Sequence, residues 1–267
     1  MANKKVGFFG AVIIIVIVIA IIGYIAGGSN TNTSSSSSSS SRPTETVYTL
    51  DIRPDSQKRL IEICIKYDSE YRRGANELQK SATRTNRRRE LQQLGLRSVN
   101  NWIGTLSSFG TNRDGKAYIT INMDDNVSVK TWNNALSDNE DNTLIAQDSS
   151  LYRNLSNMRT GARVRFSGSF LTGDDRDFFK VSNFTETFAM STPEFLMRFT
   201  AVSLLSELPF TTQDVNMREE PSAESTIVIL LNNESRVRLL SNPDQNGWVR
   251  INFDGKEGYV NSRFLTY

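Results

Sequence analysis

Apolar residues change their spacing several times along this chain, and each change marks an element. Phe8 to Ile25, FFGAVIIIVIVIAIIGYI, is an uncharged apolar run of 18 residues. That length suits a bilayer-crossing helix, because in lipid the backbone must satisfy its own hydrogen bonds and helix overrides the strand preference of Val and Ile. Residues 29–46, SNTNTSSSSSSSSRPTET, offer no large apolar side chain to bury and predict a disordered tether. Over 55–94, Leu60, Cys64, Tyr67, Tyr71, Ala75, Leu78 and Ala82 recur mostly at alternating steps of four and three. This narrow stripe predicts one long amphipathic helix, capped by Asp55 or Ser56 after Pro54 and closed by Gly95.

Beyond Ser98 the period becomes two. SVNNWIGTLSSFG, KAYITINM and VSVKTW read as three strands. Leu151, Leu155 and Met158 mark a short helix ended by Gly161, and ARVRFSGSFLTG and FFKVSNFTETF read as two more strands. Three strands, a helix and two strands is the order of an OB-fold. The segment also resembles OB-like domains of bacterial envelope proteins through NWIGTL and LYRNLSNMRTGARVRFSGSF. Residues 191–212, STPEFLMRFTAVSLLSELPFTT, are short and apolar. Pro193 and Glu194 suit the first turn of a helix, a strand or mixed linker also fits, and an interface element is the preferred reading.

From 214 onward, turns at Asn232-Asn233, Pro243–Gly247 and Asp254-Gly255 separate five short strands, the last turn being the preferred two-residue hairpin pair. This region resembles a bacterial SH3 domain. The opening falls on Asn216, Arg218, Pro221 and Ser222, the central strand on Gly247, Trp248 and Val249, and the closing hairpin on Gly255, Gly258, Tyr259 and Val260. One departure is Asn232-Asn233, where the family usually has a glycine; Asn tolerates positive φ, so the turn survives. The resemblance implies recognition of short peptides, often of the bacterial cell wall. Trp248 and Tyr259 would stack on the ligand and Arg218 would contact it, although both aromatic positions also serve the core in this family and Arg218 can brace its own loop.

Composition removes several chemistries. The chain has no histidine and one cysteine, Cys64. Zinc sites of His and Cys ligands, Ser-His-Asp and Cys-His catalysis and an intrachain disulfide are therefore excluded. The carboxylate pairs Asp124-Asp125 and Asp174-Asp175 are chain neighbours beside turns, a poor arrangement for two groups that must face one reaction centre. The loop SDNEDN lacks the spacing of an EF-hand. No catalytic residue, metal or cofactor is expected.

Charge adds direction. Lys4 and Lys5 precede the apolar run and only Arg42 follows it closely, which orients the N-terminus to the cytoplasm. A cleaved signal peptide, with Ala26 and Gly28 before a cut at Ser29, is the competing reading, but its apolar core would be longer than usual. Arg53 to Arg97 holds 12 Lys/Arg against 6 Asp/Glu. That excess suits anionic headgroups, an acidic partner or the chain's own acidic domains, and docking on the last is preferred. Nucleic acid is disfavoured on the expected barrel face, where Lys116, Tyr118, Lys130 and Trp132 are followed by Asp138, Glu140 and Asp141.

The expected architecture is mainly β, with two small barrels, an N-terminal transmembrane helix and a long amphipathic helix. Its parts are a cytoplasmic tail (1–7), an anchor (8–26), a tether (27–54), the basic helix (55–94), an OB-like barrel (95–190), a connecting segment expected to be helical (191–213) and an SH3-like barrel (214–267). The expected function is a membrane-anchored, extracytoplasmic binding or scaffolding protein of the bacterial inner membrane and envelope. It would meet the membrane through Phe8–Ile25, a cell-wall peptide or envelope protein through the SH3 domain, and a second copy through the 55–94 stripe. The alternatives are a subunit of a membrane complex whose barrels are only interfaces, a nucleic-acid binder acting through the OB-like domain, and a carboxylate-based hydrolase.

Overall fold

The helical stripe over 55–94 resolves into a hairpin rather than one rod. In the computed structural model, which describes residues 48–174 and 177–267, α1 (Asp55–Arg73) stops at Gly74 and α2 (Glu77–Gln93) restarts after Asn76. The Asn76 side chain accepts from the Gln79 N–H at 3.0 Å, and Gln79 Oε1 accepts from the Ala75 N–H at 2.8 Å. This reciprocal pair caps a new helix start. No side chain caps α1, whose N-cap is Pro54. Leu60, Cys64, Tyr67 and Tyr71 are buried, whereas Leu78 is 83% exposed and Ala75 and Ala82 also face solvent. The buried part of the stripe lies in one core with barrel residues, so it is no longer a ground for self-association. The tail, the apolar run and the tether to residue 47 lie outside the described residues. Among the described residues no helix is long and apolar enough to cross a membrane.

Alternation then builds a closed barrel. β1 (Ser98–Thr111), β2 (Ala117–Asp124), β3 (Val127–Lys130), β4 (Arg163–Phe170) and β5 (Glu194–Leu204) close in the order β1-β2-β3-β5-β4. Two short helices connect them, α3 (Ser150–Leu155) between β3 and β4 and α4 (Glu186–Ser191) before β5. Ala117, Ile119, Ile121 and Met123 point inward at alternate positions of β2. Trp102, 1% exposed, meets Phe166 and Phe170 edge-on and donates its indole N–H to Ser56 Oγ of α1 at 3.2 Å.

The fifth strand is not FFKVSNFTETF, and 194–204 is not a helix. Phe195, Met197, Phe199 and Val202 line the core from β5, while Leu196 on its other face is covered where Leu171 and Lys180 bond its backbone. A strand covered on both faces reads as a continuous apolar run, which periodicity cannot separate from a buried helix. Phe179 instead joins the barrel's core, stacking on Phe170 at 4.3 Å, and Phe178 packs against that core. The barrel thus runs to residue 204, beyond the expected boundary at 190.

The C-terminal region contains β6 (Phe210–Thr211), β7 (Val215–Arg218), β8 (Ile227–Leu231), β9 (Arg238–Leu239), β10 (Trp248–Phe253), β11 (Lys256–Asn261) and, after a 3-10 turn at Ser262–Phe264, β12 (Leu265–Thr266). Five of these form one sheet, β8-β7-β11-β10-β9, and β6 pairs with β12, while the Phe210–Arg236 bridge links that pair to the segment leading into β9. Where the sequence suggested a second small barrel, the pairing is that of a five-stranded sheet and a two-stranded one. The β10–β11 turn has positive φ at both Asp254 (50°) and Gly255 (79°), as its sequence predicts.

The two β regions share a joint. Leu50, Ile103 of β1 and Leu205 beyond β5 belong to the same core as Met217, Val249, Ile251 and Val260. Gln57, fully buried, donates to the Ile103 carbonyl and accepts its N–H at 2.9 Å. Tyr267 lies under the Arg163 guanidinium, 4.3 Å from its ring centre, and its hydroxyl accepts from the Leu50 N–H. Thr46–Tyr267 is accordingly one compact unit.

Candidate functional site

In β10 and β11, Val249, Ile251 and Val260 are fully buried, so the alternate positions must project from the other face. Those positions are Trp248, Arg250, Tyr259 and Asn261. Register places Arg218 opposite Tyr259 and Tyr259 opposite Arg250, giving one row across β7, β11 and β10. Trp248 stands one position along, opposite Asn261. The structure therefore brings the three residues singled out in the sequence, Trp248, Tyr259 and Arg218, onto one face, each half-buried.

Local chemistry fixes the row. Asp244 Oδ1 accepts the Trp248 N–H at 2.9 Å and orients the strand entry. A Cβ on Gly258 would lie 2.7 Å from the Arg218 carbonyl oxygen, so only glycine lets β11 pass β7 this closely. Arg218 Nη1 donates to the Ser225 carbonyl at 2.6 Å and braces the β7–β8 loop. Arg250 pairs with Glu257 at 2.6 Å. Ile227 and Leu230, on the edge strand β8 opposite Arg218 and Asn216, are 50% and 53% exposed and extend the face with apolar surface. Strand alternation could have pointed to Arg250 in the sequence; the neighbourhood of Ile227 and Leu230 depends on strand register across β7 and β8, which a single sequence does not carry.

The other candidate groups are absorbed by structure. Within the acidic loop, Asp138 accepts from the Thr143 N–H and hydroxyl and the Leu144 N–H, and Asp141 accepts from Trp132 Nε1 and Lys180 Nζ, each at 2.6 Å. Among the described residues no group of acidic or sulfur ligands is arranged to hold a metal ion. Lys130 is paired with Glu194 at 3.0 Å. Burial pushes the Cys64 thiol up to about 12, so it is not a thiolate at neutral pH. The basic character of α2 is turned inward at two positions. Arg84 reaches Asp177 and Glu186, and Arg87, 2% exposed, reaches Asp177 and the carbonyls of Ala189 and Met190.

Asp141 sets an acid limit on the barrel. Burial alone would raise its carboxyl, but the bonds from Lys180 and Trp132 outweigh it and hold it below 3.8. A depressed folded-state value stabilises above the unfolded value and is lost as pH falls through the folded one. The urea midpoint of 46–267 should therefore drop as pH falls from neutral to below 3.8. Lys180→Met should make that dependence shallower; an unchanged pH profile would contradict the role of the pair.

Comparison with known proteins adds one assignment. No curated protein matches the sequence. Among solved structures, NlpC1 from Trichomonas vaginalis is similar at 17% identity over 63% of this chain and 46% of that one, with a TM-score of 0.21. NlpC2 from the same organism is similar at 16% identity over 63% and 48%, with a TM-score of 0.22. This chain thus spans less than half the length of each, and scores this low assign neither fold nor activity. Residues 213–266 match the bacterial SH3 domain family; the C-terminal sheet that carries Arg218, Trp248 and Tyr259 is a bacterial SH3 domain.

Proposed function

We propose that this chain is a non-catalytic binding or scaffolding protein of the bacterial cell envelope, anchored in the inner membrane through Phe8–Ile25 with its folded unit outside the cytoplasm. The SH3 face bearing Tyr259, Trp248 and Arg218 recognises a peptide of the cell wall. The closed barrel, whose strand order and intervening helix suit an OB-type barrel, acts as its rigid platform. One observation carries the reading: two half-buried aromatics and two guanidiniums share the outer face of a bacterial SH3 domain. Aromatic faces supply contact area at low entropic cost, and Arg supplies planar donors for peptide carbonyls and carboxylates. Glu219, Glu220 and Glu224, exposed in the adjoining loop, favour a peptide that also carries an amine.

The exposed Ile227 and Leu230 favour a second reading, in which this face docks an envelope protein instead. Adding soluble wall stem peptides to isotope-labelled 46–267 distinguishes the two. Amide shifts confined to β7, β10 and β11 support wall-peptide recognition; an unperturbed SH3 sheet would sink it and leave the protein-interface reading.

A further inference from the structure

Trp248 stands at the very start of β10, where the ladder supports it from one side. β11 runs beside it, with Asn261 opposite Trp248 in register, whereas β9 pairs with β10 at Ile251 and Asn252, farther along the strand. What precedes Trp248 is the loop that carries the chain from β9 into β10. This loop closes on itself. The Asp244 N–H donates to the Trp248 carbonyl at 2.8 Å and the Gly247 N–H to the Asp244 carbonyl at 2.9 Å. Asp244 Oδ1 accepts the Asn246 N–H at 2.8 Å as well as that of Trp248. Gly247 completes the turn at a φ of 81°. All of these bonds lie within residues 244–248, so they set the shape of the loop and not its place on the sheet.

That place is set from the end of β11. Asn261 Nδ2 donates to the Asn246 carbonyl at 3.0 Å, and the Ser262 N–H donates to the Gly247 carbonyl at 2.7 Å. Gly247 lies against the same side chain: a Cβ there would stand 3.4 Å from both polar atoms of the Asn261 amide and from Ser262 Oγ. The other end of the amide is engaged too, since Oδ1 accepts the Arg263 N–H at 3.3 Å and caps the 3-10 turn. Asn261 thus ties together the loop before Trp248, the end of β11 and the turn into β12. The task needs a donor and an acceptor on one short planar group, which is what an amide supplies. We infer that Asn261 is a positioning residue for the ligand face: it holds the 244–247 loop in place, so that the Trp248 indole is ordered before a ligand arrives. Each side chain that must instead be ordered on binding weakens affinity by about threefold to tenfold. The inference rests on the wall-peptide reading of this face, and the test below separates the two.

The test uses isotope-labelled 46–267 and insoluble peptidoglycan. Asn261→Asp keeps the acceptor for the Arg263 N–H but turns the donor into a second acceptor facing the Asn246 carbonyl. Asn261→Ser keeps a capping oxygen and is too short to reach Asn246. In both variants the amide signals of Asn246, Gly247 and Trp248 should shift. The indole N–H signal of Trp248, which Trp248→Phe identifies among the three tryptophans, should shift with them. Pelleting with the wall should fall about threefold to tenfold, while the thermal midpoint drops by about 2–4 °C, as expected for the loss of one hydrogen bond. Parent-level pelleting of both variants would overturn the inference and leave the reading of the face intact. So would weaker pelleting with the loop and indole signals unmoved, because Asn261 would then touch the ligand itself. A parent unit that does not pellet removes the wall-peptide reading, and this inference falls with it.

Discussion

Trp102→Ala lowers the unfolding free energy of 46–267 by about 3–5 kcal/mol, the usual cost of truncating a large core aromatic. Its indole is 1% exposed, meets the rings of Phe166 and Phe170 and bonds Ser56 across to α1. The substitution therefore opens a cavity where the barrel and the helical hairpin share a core. Domains are commonly stable by only about 5–15 kcal/mol, so the variant sits near the edge of folding at room temperature. Urea unfolding followed by far-ultraviolet circular dichroism measures the loss. Trp102→Phe should restore part of it, because a ring still fills the space but the bond to Ser56 is gone. A loss below about 1 kcal/mol for the alanine variant would mean that the hairpin does not depend on this contact.

Arg87→Ala should be comparably costly, about 3–5 kcal/mol, for a different reason. Arg87 donates to the Ala189 carbonyl at 2.7 Å and faces Asp177 at 3.3 Å from a position 2% exposed. Removing it strips the end of α4 of a donor and leaves Asp177, among the described residues, with Arg84 as its guanidinium partner. Arg87→Lys should not rescue the loss, because a single ammonium cannot span a carbonyl and a carboxylate as a planar guanidinium does. The expected signature is local as well as global: limited proteolysis should cut the connection between β4 and β5 before the rest of the unit. Cutting at the parent rate would contradict the clamp.

Arg87 also shows why part of this fold was legible in the sequence and part was not. The excess of Arg and Lys over residues 53–97 was plain, and docking onto the chain's own acidic groups was the preferred reading; Asp177 and Glu186 are those groups for Arg84 and Arg87. Which arginines turn inward was not legible, because it depends on the break at Gly74. The signal for that break was present in Asn76-Glu77-Leu78-Gln79, a capping pattern, but a stripe continuing through Ala75, Leu78 and Ala82 concealed it. β2, β3 and β4 were readable since alternate residues of each are buried, and β1 was readable as a strand although register shifts at Val99/Trp102 and Leu106/Ser108 interrupt its alternation. β5 was not, because the 171–181 connection covers its outer face at Leu196 and removes the polar positions that mark a half-exposed strand.

The SH3 face was legible through residue identity more than through pattern. Trp248 and Tyr259 stand out as aromatics at alternate positions, and Asp254-Gly255 fixes the hairpin that aligns them. The pairing of Arg218 with Tyr259 needed the register between β7 and β11, which Gly258 permits by close approach. Deleting the SH3 domain would be a poor test of that face, since Leu50, Ile103 and Leu205 would lose their cover along with the site.

The direct test keeps the fold and removes the face. Purified 46–267 is sedimented with insoluble peptidoglycan beside Trp248→Ala with Tyr259→Ser, after thermal melts confirm that both proteins are folded. The parent unit should pellet with the wall material, and the double variant should remain in the supernatant at least about tenfold more, the loss expected when two aromatic contacts are removed. Equal pelleting of the two proteins, or no pelleting of the parent, would contradict recognition of the wall by this face.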